Sequence, residues 1–231
     1  MNMSNRYARR CAFAVALASM VGCGSITMVV PGDVLGASDQ ILITDRSSMS
    51  GALADESFKM GPYDVGEVDR DWNHGSKSQA LGFSEEETTG GYSYEVTSKQ
   101  GKQAGRCLTE AKTKGKSFGS ITMSKQMAKL GCMCEGAAEA KVVLQASTTS
   151  EYGGTLDTAS GSYQIAAIYE REGGLSDGNP SGYRVDGEGP VGAVDVMHPG
   201  RVWLGKQVEA AERAQLACIF AGLLLYKPPQ E

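Results

Sequence analysis

Residues 216–226 have the sequence LACIFAGLLLY, and this stretch decides what the rest of the chain must build. Good helix formers precede it from position 207, and two prolines follow it. Because the helix predicted over 207–226 is apolar nearly all round at its end, that end has to be buried. Eleven apolar residues are too few to cross a bilayer, which takes about 20 residues. We therefore expect the helix to fill the centre of a domain, with Glu212 and Arg213 at its wetter start.

The chain before this helix carries short patterns typical of half-buried strands. Tyr92, Tyr94 and Val96 alternate with polar residues, and residues 140–147 (AKVVLQAS) alternate in the same way. Further short strands are predicted around 163–169, 183–185, 191–196 and 202–204. Thirty glycines supply turn residues between them. The predicted fold class is mainly β, an antiparallel barrel or a sandwich of many short strands packed around the hydrophobic C-terminal helix.

One family resemblance follows from this order of elements. The segment YRVDG at 183–187, the segment VGAVDV at 191–196, the charged pair Glu212-Arg213 and the apolar helix together resemble the tubby C-terminal or scramblase-like barrel. The similarity is one of pattern and covers roughly residues 57–226. It implies a closed antiparallel barrel wrapped around a hydrophobic helix. That family includes phosphoinositide binders that use basic patches, and this acidic chain has no strong equivalent of such a patch.

The first 23 residues predict where the protein is located in the cell. Arg6, Arg9 and Arg10 precede a short apolar run at 11–22, which is too short for a membrane span and is typical of a cleaved signal peptide. The run ends in Met-Val-Gly-Cys at 20–23, which resembles the lipobox of bacterial lipoproteins, with Met in place of the usual Leu.

The lipobox resemblance implies a specific modification. Cys23 would become the mature N-terminus and carry a diacylglycerol together with an N-acyl chain such as palmitate, which attaches the protein to a membrane. Gly24 is not the Asp that retains such proteins in the inner membrane. The expected location is therefore the bacterial cell envelope, with the outer membrane and its periplasmic side favoured.

Three regions follow from these patterns. Residues 1–22 are the predicted signal peptide, and residues 23–56 are a lipidated N-terminus and flexible tether with one short strand at 41–43. Residues 57–231 form a single β-rich domain. Inside it, the polar and charged stretch 73–90 is interpreted as a long loop, because no apolar alternation marks it.

The charge balance excludes one class of partner. The whole chain has 22 basic and 27 acidic residues, and loss of the three signal arginines leaves 19 basic residues and a net charge of −8. A nucleic-acid binder is expected to have a basic excess, so no nucleic-acid partner is predicted.

The number of cysteines in the mature chain is consistent with an exported protein. Cys107, Cys132, Cys134 and Cys218 remain after Cys23 is used for lipid, and outside the cytoplasm an even set suggests disulfides. We expect one bridge, from Cys107 to either Cys132 or Cys134, and a buried free thiol at Cys218. A zinc site is not expected, because Cys-x-Cys lacks the usual spacing and the chain has two histidines.

No stretch of the sequence predicts catalysis. The segment GKSFG at 115–119 matches the G-x-S-x-G pattern around Ser117, but no apolar strand precedes the serine as a nucleophile elbow requires. A hydrolase would need Ser117 within reach of His198 as the base and of a carboxylate, and nothing in the sequence places His198 there. No cofactor and no metal are predicted.

The sequence therefore predicts a non-catalytic envelope lipoprotein with a structural or interaction role at the membrane surface. Its partners would be the membrane, through the lipid at Cys23, and an envelope protein that the sequence does not identify. The alternatives are a binding module for a lipid or small apolar ligand and, less favoured, a hydrolase that uses Ser117.

Overall fold

Twelve antiparallel strands close into a barrel around a helix. The structure is a computed structural model that describes residues 26–47, 56–80, 83–118, 121–147, 150–174 and 178–227. The prediction of a mainly β fold around the C-terminal helix is confirmed, and the barrel is the form it takes. The predicted signal peptide and Cys23 lie outside the described residues.

The structure contains fourteen strands and two helices within the described residues. The first eight are β1 Thr27–Met28, α1 Gly32–Ala37, β2 Ser38–Thr44, β3 Phe58–Met60, β4 Tyr63–Ala80, β5 Phe83–Ser98, β6 Gly101–Phe118 and β7 Ile121–Glu135. The others are β8 Ala140–Ser147, β9 Ser150–Asp157, β10 Ser162–Ile168, β11 Arg171–Glu172, β12 Gly182–Asp186, β13 Pro190–Asp195, β14 Arg201–Gly205 and α2 Ala210–Leu225. Around the barrel the order is β10-β12-β13-β14-β2-β3-β4-β5-β6-β7-β8-β9, and β1 pairs with β11 outside it.

The helix α2 forms the centre of the core. Every residue from Ala214 to Leu225 is buried, as an all-round apolar helix requires. The barrel strands turn alternate side chains towards it, among them Tyr94 of β5 and Leu144 of β8. Burial of each large apolar side chain contributes about 1.5–3 kcal/mol, so the helix and the inner wall stabilise one another.

The start of α2 is drier than predicted. Glu212 was expected on a wet face, but only 7% of it is exposed. Its Oε1 accepts hydrogen bonds from Thr158 Oγ1 at 2.8 Å and from the Tyr163 hydroxyl at 2.6 Å. Arg213 beside it is half-buried and pairs with Asp39 of β2. The barrel rim thus supplies polar partners that allow a charged residue to enter the core.

Strand β13 is buried on both faces. Its inner face meets α2, and its outer face is covered by a small second cluster in which Met28, Val34 and Trp203 are fully buried. Helix α1 packs against β13 and β14 and so closes this outer layer. The sequence VGAVDV is nearly continuous in small and apolar residues for this reason.

Residues 26–47 correct the predicted tether. Strand β2 pairs with β14 on one side and with β3 on the other, so it is part of the closed barrel wall. The predicted short strand at 41–43 is present and extends over Ser38–Thr44. The rest of the predicted tether, residues 23–25 and 48–55, lies outside the described residues.

Residues 73–90 correct the predicted loop. They form the end of β4 and the beginning of β5, which pair in register from Asp64↔Thr97 to Ala80↔Phe83 with two bulges. Strands β6 and β7 continue the same sheet from Ala104↔Glu135 to Phe118↔Ile121. These four strands are 15–18 residues long, far longer than the barrel needs.

Candidate functional site

Strands β4–β7 run beyond the barrel as a four-stranded sheet, which we call the extension. It comprises residues 72–80, 83–90, 109–118 and 121–129. Those of its residues whose burial is described are exposed or half-buried on both faces, apart from Gly115. Nine residues of β7 (121–129) at about 3.3 Å each give the extension a length of about 30 Å.

Ion pairs line the outer face of the extension, most of them between neighbouring strands. Lys114 lies opposite Glu85 and pairs with it at 3.0 Å, and Lys112 pairs with Glu87 at 3.2 Å and with Glu110 at 2.9 Å. The hydrogen bond from Lys112 lowers the pKa of Glu110, and its carboxylate partners raise the pKa of Lys112 in turn. Pairs as exposed as these contribute little to stability, so it is the backbone ladder that forms the sheet.

The two faces of the extension differ in charge. Tyr92, Cys107 and Cys132 point into the barrel, so the alternation of side chains fixes which residues continue the outer face. The charged residues on that outer face are Glu85, Glu87, Glu110, Lys112, Lys114, Lys116, Lys125 and Lys129. The opposite face carries Ser, Thr, Gly, Ala and Gln with one ion pair, Lys77–Glu86.

An exposed aromatic ring lies near the far end of the outer face. Phe83 is 55% exposed, and the Lys116 Nζ lies 5.0 Å from its ring centroid. Lys125 stands opposite Lys114 with no ion-pair partner among the described residues. The end of the outer face therefore combines an exposed ring with an excess of positive charge.

The described chain begins at the end of the barrel from which the extension projects. Met28 donates its amide to Asp195 Oδ2 at 3.3 Å, and its carbonyl accepts from Arg201. Asp195 and Arg201 flank the β13–β14 turn, where Gly200 approaches Leu224 at the C-terminal end of α2. Cys23 precedes Met28 by five residues, and five residues of fully extended chain span at most about 18 Å.

The extension leaves from that same end. On β5, Tyr94 donates its hydroxyl to the Cys218 carbonyl at 2.9 Å, and Tyr92, which is nearer to Phe83, donates its hydroxyl to the Gly222 carbonyl at 2.8 Å. The direction from Tyr94 towards Phe83 is therefore the direction from the middle of α2 towards its C-terminal end. Arg70 of β4 donates to the Leu225 carbonyl. The β4–β7 sheet therefore passes the last turn of α2 and continues beyond it.

One disulfide joins two strands of the barrel wall, and a second disulfide joins the wall to the helix α2. Cys107 and Cys132 face each other across β6 and β7 and are bonded, as one of the two predicted pairings has it. Cys134 of β7 is bonded to Cys218 of α2. The prediction of a free thiol at Cys218 is wrong, because the helix brings its sulfur to the inner face of β7. An even cysteine set was the signal that pointed to the second bridge.

Basic side chains secure the end of α2. Arg46 donates to the Leu224 carbonyl at 2.5 Å, and Arg70 donates to the Leu225 carbonyl at 2.8 Å, where cations stabilise a helix. Glu56 pairs with Arg70 and Lys227. Burial raises the pKa of Glu56, but the hydrogen bonds from Lys227 and Arg70 outweigh this and lower it overall.

The interior of the barrel is occupied. Residues Leu216 to Leu224 of α2 fill it with exposed fractions of at most 1% for every apolar side chain. A pocket of about 260 Å³ lies on the outer wall, lined among others by Glu67, Glu95, Arg106 and Glu135. Such a polar pocket is small for a ligand site and unsuited to an apolar molecule.

The structure does not bring the two residues of the hydrolase alternative together. Ser117 lies near the far end of β6, paired in register with Thr122. His198 lies in the β13–β14 turn. In the closed strand order, β6 and β13 are separated by five strands in either direction. Among the described residues no group of three or more His, Cys, Asp or Glu is arranged to hold a metal ion.

None of the helices within the described part of the chain has the length and apolar character to cross a membrane. No protein-family model, no curated protein and no solved structure matches this chain.

Proposed function

We propose that this protein is a lipid-anchored protein of the bacterial cell envelope with a non-catalytic structural or interaction role at the membrane surface. The observation that carries the proposal is the pairing of all four cysteines after Cys23 into two buried disulfides. Disulfides of this kind are made and kept in oxidising compartments, which is where the signal pattern at 6–23 sends the chain.

The position of the chain start supports attachment close to the membrane. Thr27 and Met28 are already paired with β11, and Met28 is hydrogen-bonded to Asp195, so an acylated Cys23 would be at most about 18 Å from Met28. The barrel would rest on the membrane instead of standing clear of it on a long tether. An outer-membrane, periplasm-facing location is part of the proposal and rests on Gly24 alone.

The extension supports an interaction role. It adds about 30 Å of sheet that contributes no side chain to the core, and both of its faces are accessible. Such a sheet provides surface without enclosing a site. A ligand-binding role inside the barrel is not favoured, because a ligand would have to displace α2, which Cys134–Cys218 attaches to the wall.

Membrane fractionation tests the anchor. Wild-type protein is expected in the membrane fraction, and Cys23→Ala protein in the soluble periplasmic fraction. Cys11→Ala is the matched control, since it removes a cysteine from the predicted signal and is expected to leave the membrane attachment unchanged. Equal partition of the wild-type and Cys23→Ala proteins would refute the proposal.

A further inference from the structure

We infer that the outer face of the extension lies against an anionic phospholipid bilayer. The inference deepens the proposed function and rests on it for the orientation of the barrel. Its basis is that a group of lysines, an exposed aromatic ring and the first described residues, near Met28, all lie towards the same end of the molecule.

The charge of the extension is opposite to that of the rest of the mature chain. The extension has six lysines and four glutamates, a net charge of +2. The mature chain as a whole has −8, so everything outside the extension has −10. An anionic surface repels the barrel and attracts the extension, and this alone orients the molecule with the extension towards the surface.

The outer face of the extension concentrates that attraction. Five of its six lysines lie there, against three glutamates. Towards the far end Glu85 is the last glutamate and pairs with Lys114, and Lys116 and Lys125 add two further positive charges there. Phe83 is 55% exposed beside Lys116, and an aromatic ring flanked by cations is suited to the headgroup region of a bilayer.

The geometry of the anchor brings this face to the membrane. The predicted lipid site and the extension share one end of the barrel, at the last turn of α2. The predicted lipid site would be at most about 18 Å from Met28 at that end, and the extension projects about 30 Å from the barrel. A polar sheet cannot pass through the hydrocarbon, so it has to lie at a slant across the surface with one face down. The lysine-bearing face is the one that an anionic surface attracts.

Vesicle binding by the unacylated mature chain, residues 23–231 with Cys23→Ala, tests the inference independently of the anchor. The probe is vesicles of phosphatidylcholine with 30% phosphatidylglycerol, and vesicles of pure phosphatidylcholine give the baseline. We expect binding to the anionic vesicles that weakens as salt is raised. Lys114→Gln, Lys116→Gln and Lys125→Gln together should reduce the partition coefficient by roughly tenfold or more, since each lysine near such a surface contributes about fivefold.

The matched control changes the same charge at the opposite end of the barrel. Lys99 and Lys102 lie at the β5–β6 turn and Lys206 follows β14, at the end of the barrel opposite the extension. Their combined change to Gln should leave binding within about twofold of the parent. Equal loss in both triple variants, or binding that ignores the anionic lipid, would overturn the inference. So would self-association through the extension without vesicle binding, since that assigns the face to a second copy of the chain. If the vesicles do not bind while the wild-type protein is still found in the membrane fraction, the contact between the extension and the bilayer is refuted, and the lipid anchor at Cys23 is not.

Discussion

Gly222 allows the helix to approach the barrel wall at its closest point. A Cβ at this position would lie 2.5 Å from the Tyr94 hydroxyl oxygen and 2.9 Å from Cys107 Sγ. The ring of Tyr94 lies in turn over Gly105, where a Cβ would be 2.2 Å from the ring. Helix, tyrosine and strand are therefore packed in contact through two positions without side chains.

Gly222→Ala is expected to destabilise the protein although alanine is the better helix former. Overpacking costs about 1–3 kcal/mol, and the gain in helix propensity is about 1 kcal/mol, so the net loss should be up to about 2 kcal/mol. Denaturant unfolding under non-reducing conditions measures it. Gly36→Ala in α1 is the control, because nothing lies within 4 Å of its Cβ position. A Gly222→Ala protein as stable as wild type would contradict the packing.

Glu56 is expected to make stability depend on pH in the acid range. Its folded-state pKa lies below the usual 4.5, because the hydrogen bonds from Lys227 and Arg70 outweigh its burial. Its contribution is therefore complete above pH 4.5 and is lost as the pH falls from there through the lowered folded value. Glu56→Gln should flatten that part of the curve of unfolding free energy against pH. A curve of wild-type slope in the variant would exclude Glu56 as a source.

The two kinds of strand in this protein differ in how far the sequence predicts them. Strands with one face on α2, such as β8 at Ala140–Ser147, carry the alternation of apolar and polar residues that marks them. The extension has two accessible faces, so no apolar alternation exists and residues 73–90 resemble a loop. Its stabilising signal is the pairing of Lys114 with Glu85 across strands, which becomes visible only once the register is known.

The disulfides were predicted from the sequence only in part. The Cys107–Cys132 bridge was one of two pairings left open, and the register of β6 and β7 decides between them. The Cys134–Cys218 bridge depends on where α2 sits inside the barrel, which spacing along the chain does not reveal. The resemblance to the tubby-like barrel stays a prediction, because no solved structure matches the chain.

The extension is expected to be dispensable for folding of the barrel. A variant that lacks 75–88 and 113–126, with Asn-Gly turns at both junctions, removes no core side chain among the residues whose burial is described and keeps the β7–β8 pairing from Met127 onward. Its melting temperature should stay within about 5 °C of wild type, since the ion pairs removed are exposed. Circular dichroism during heating measures this. Collapse of the fold would show that the extension is part of the cooperative unit.

At the scale of the whole molecule, the two disulfides divide the stabilisation unequally. Their sequence separations are 25 and 84 residues, for Cys107–Cys132 and Cys134–Cys218. On the chain-entropy account they contribute about 3.5 and about 4.5 kcal/mol. The Cys134→Ala/Cys218→Ala protein should therefore be less stable than the Cys107→Ala/Cys132→Ala protein by about 1 kcal/mol in denaturant unfolding. The reverse order would mean that native-state packing outweighs loop closure.

The molecule is a barrel that closes around its own C-terminal helix and is cross-linked by two disulfides. Met28 and the extension lie at the same end of the barrel. We propose that this arrangement serves a chain that is attached to a membrane through Cys23. Mass spectrometry of the N-terminal peptide of the mature protein, purified from membranes, is the most direct test. The account predicts a peptide that begins at Cys23 and carries the mass of a diacylglycerol and an N-acyl chain. An unmodified Cys23, or a mature chain that begins elsewhere, would contradict it.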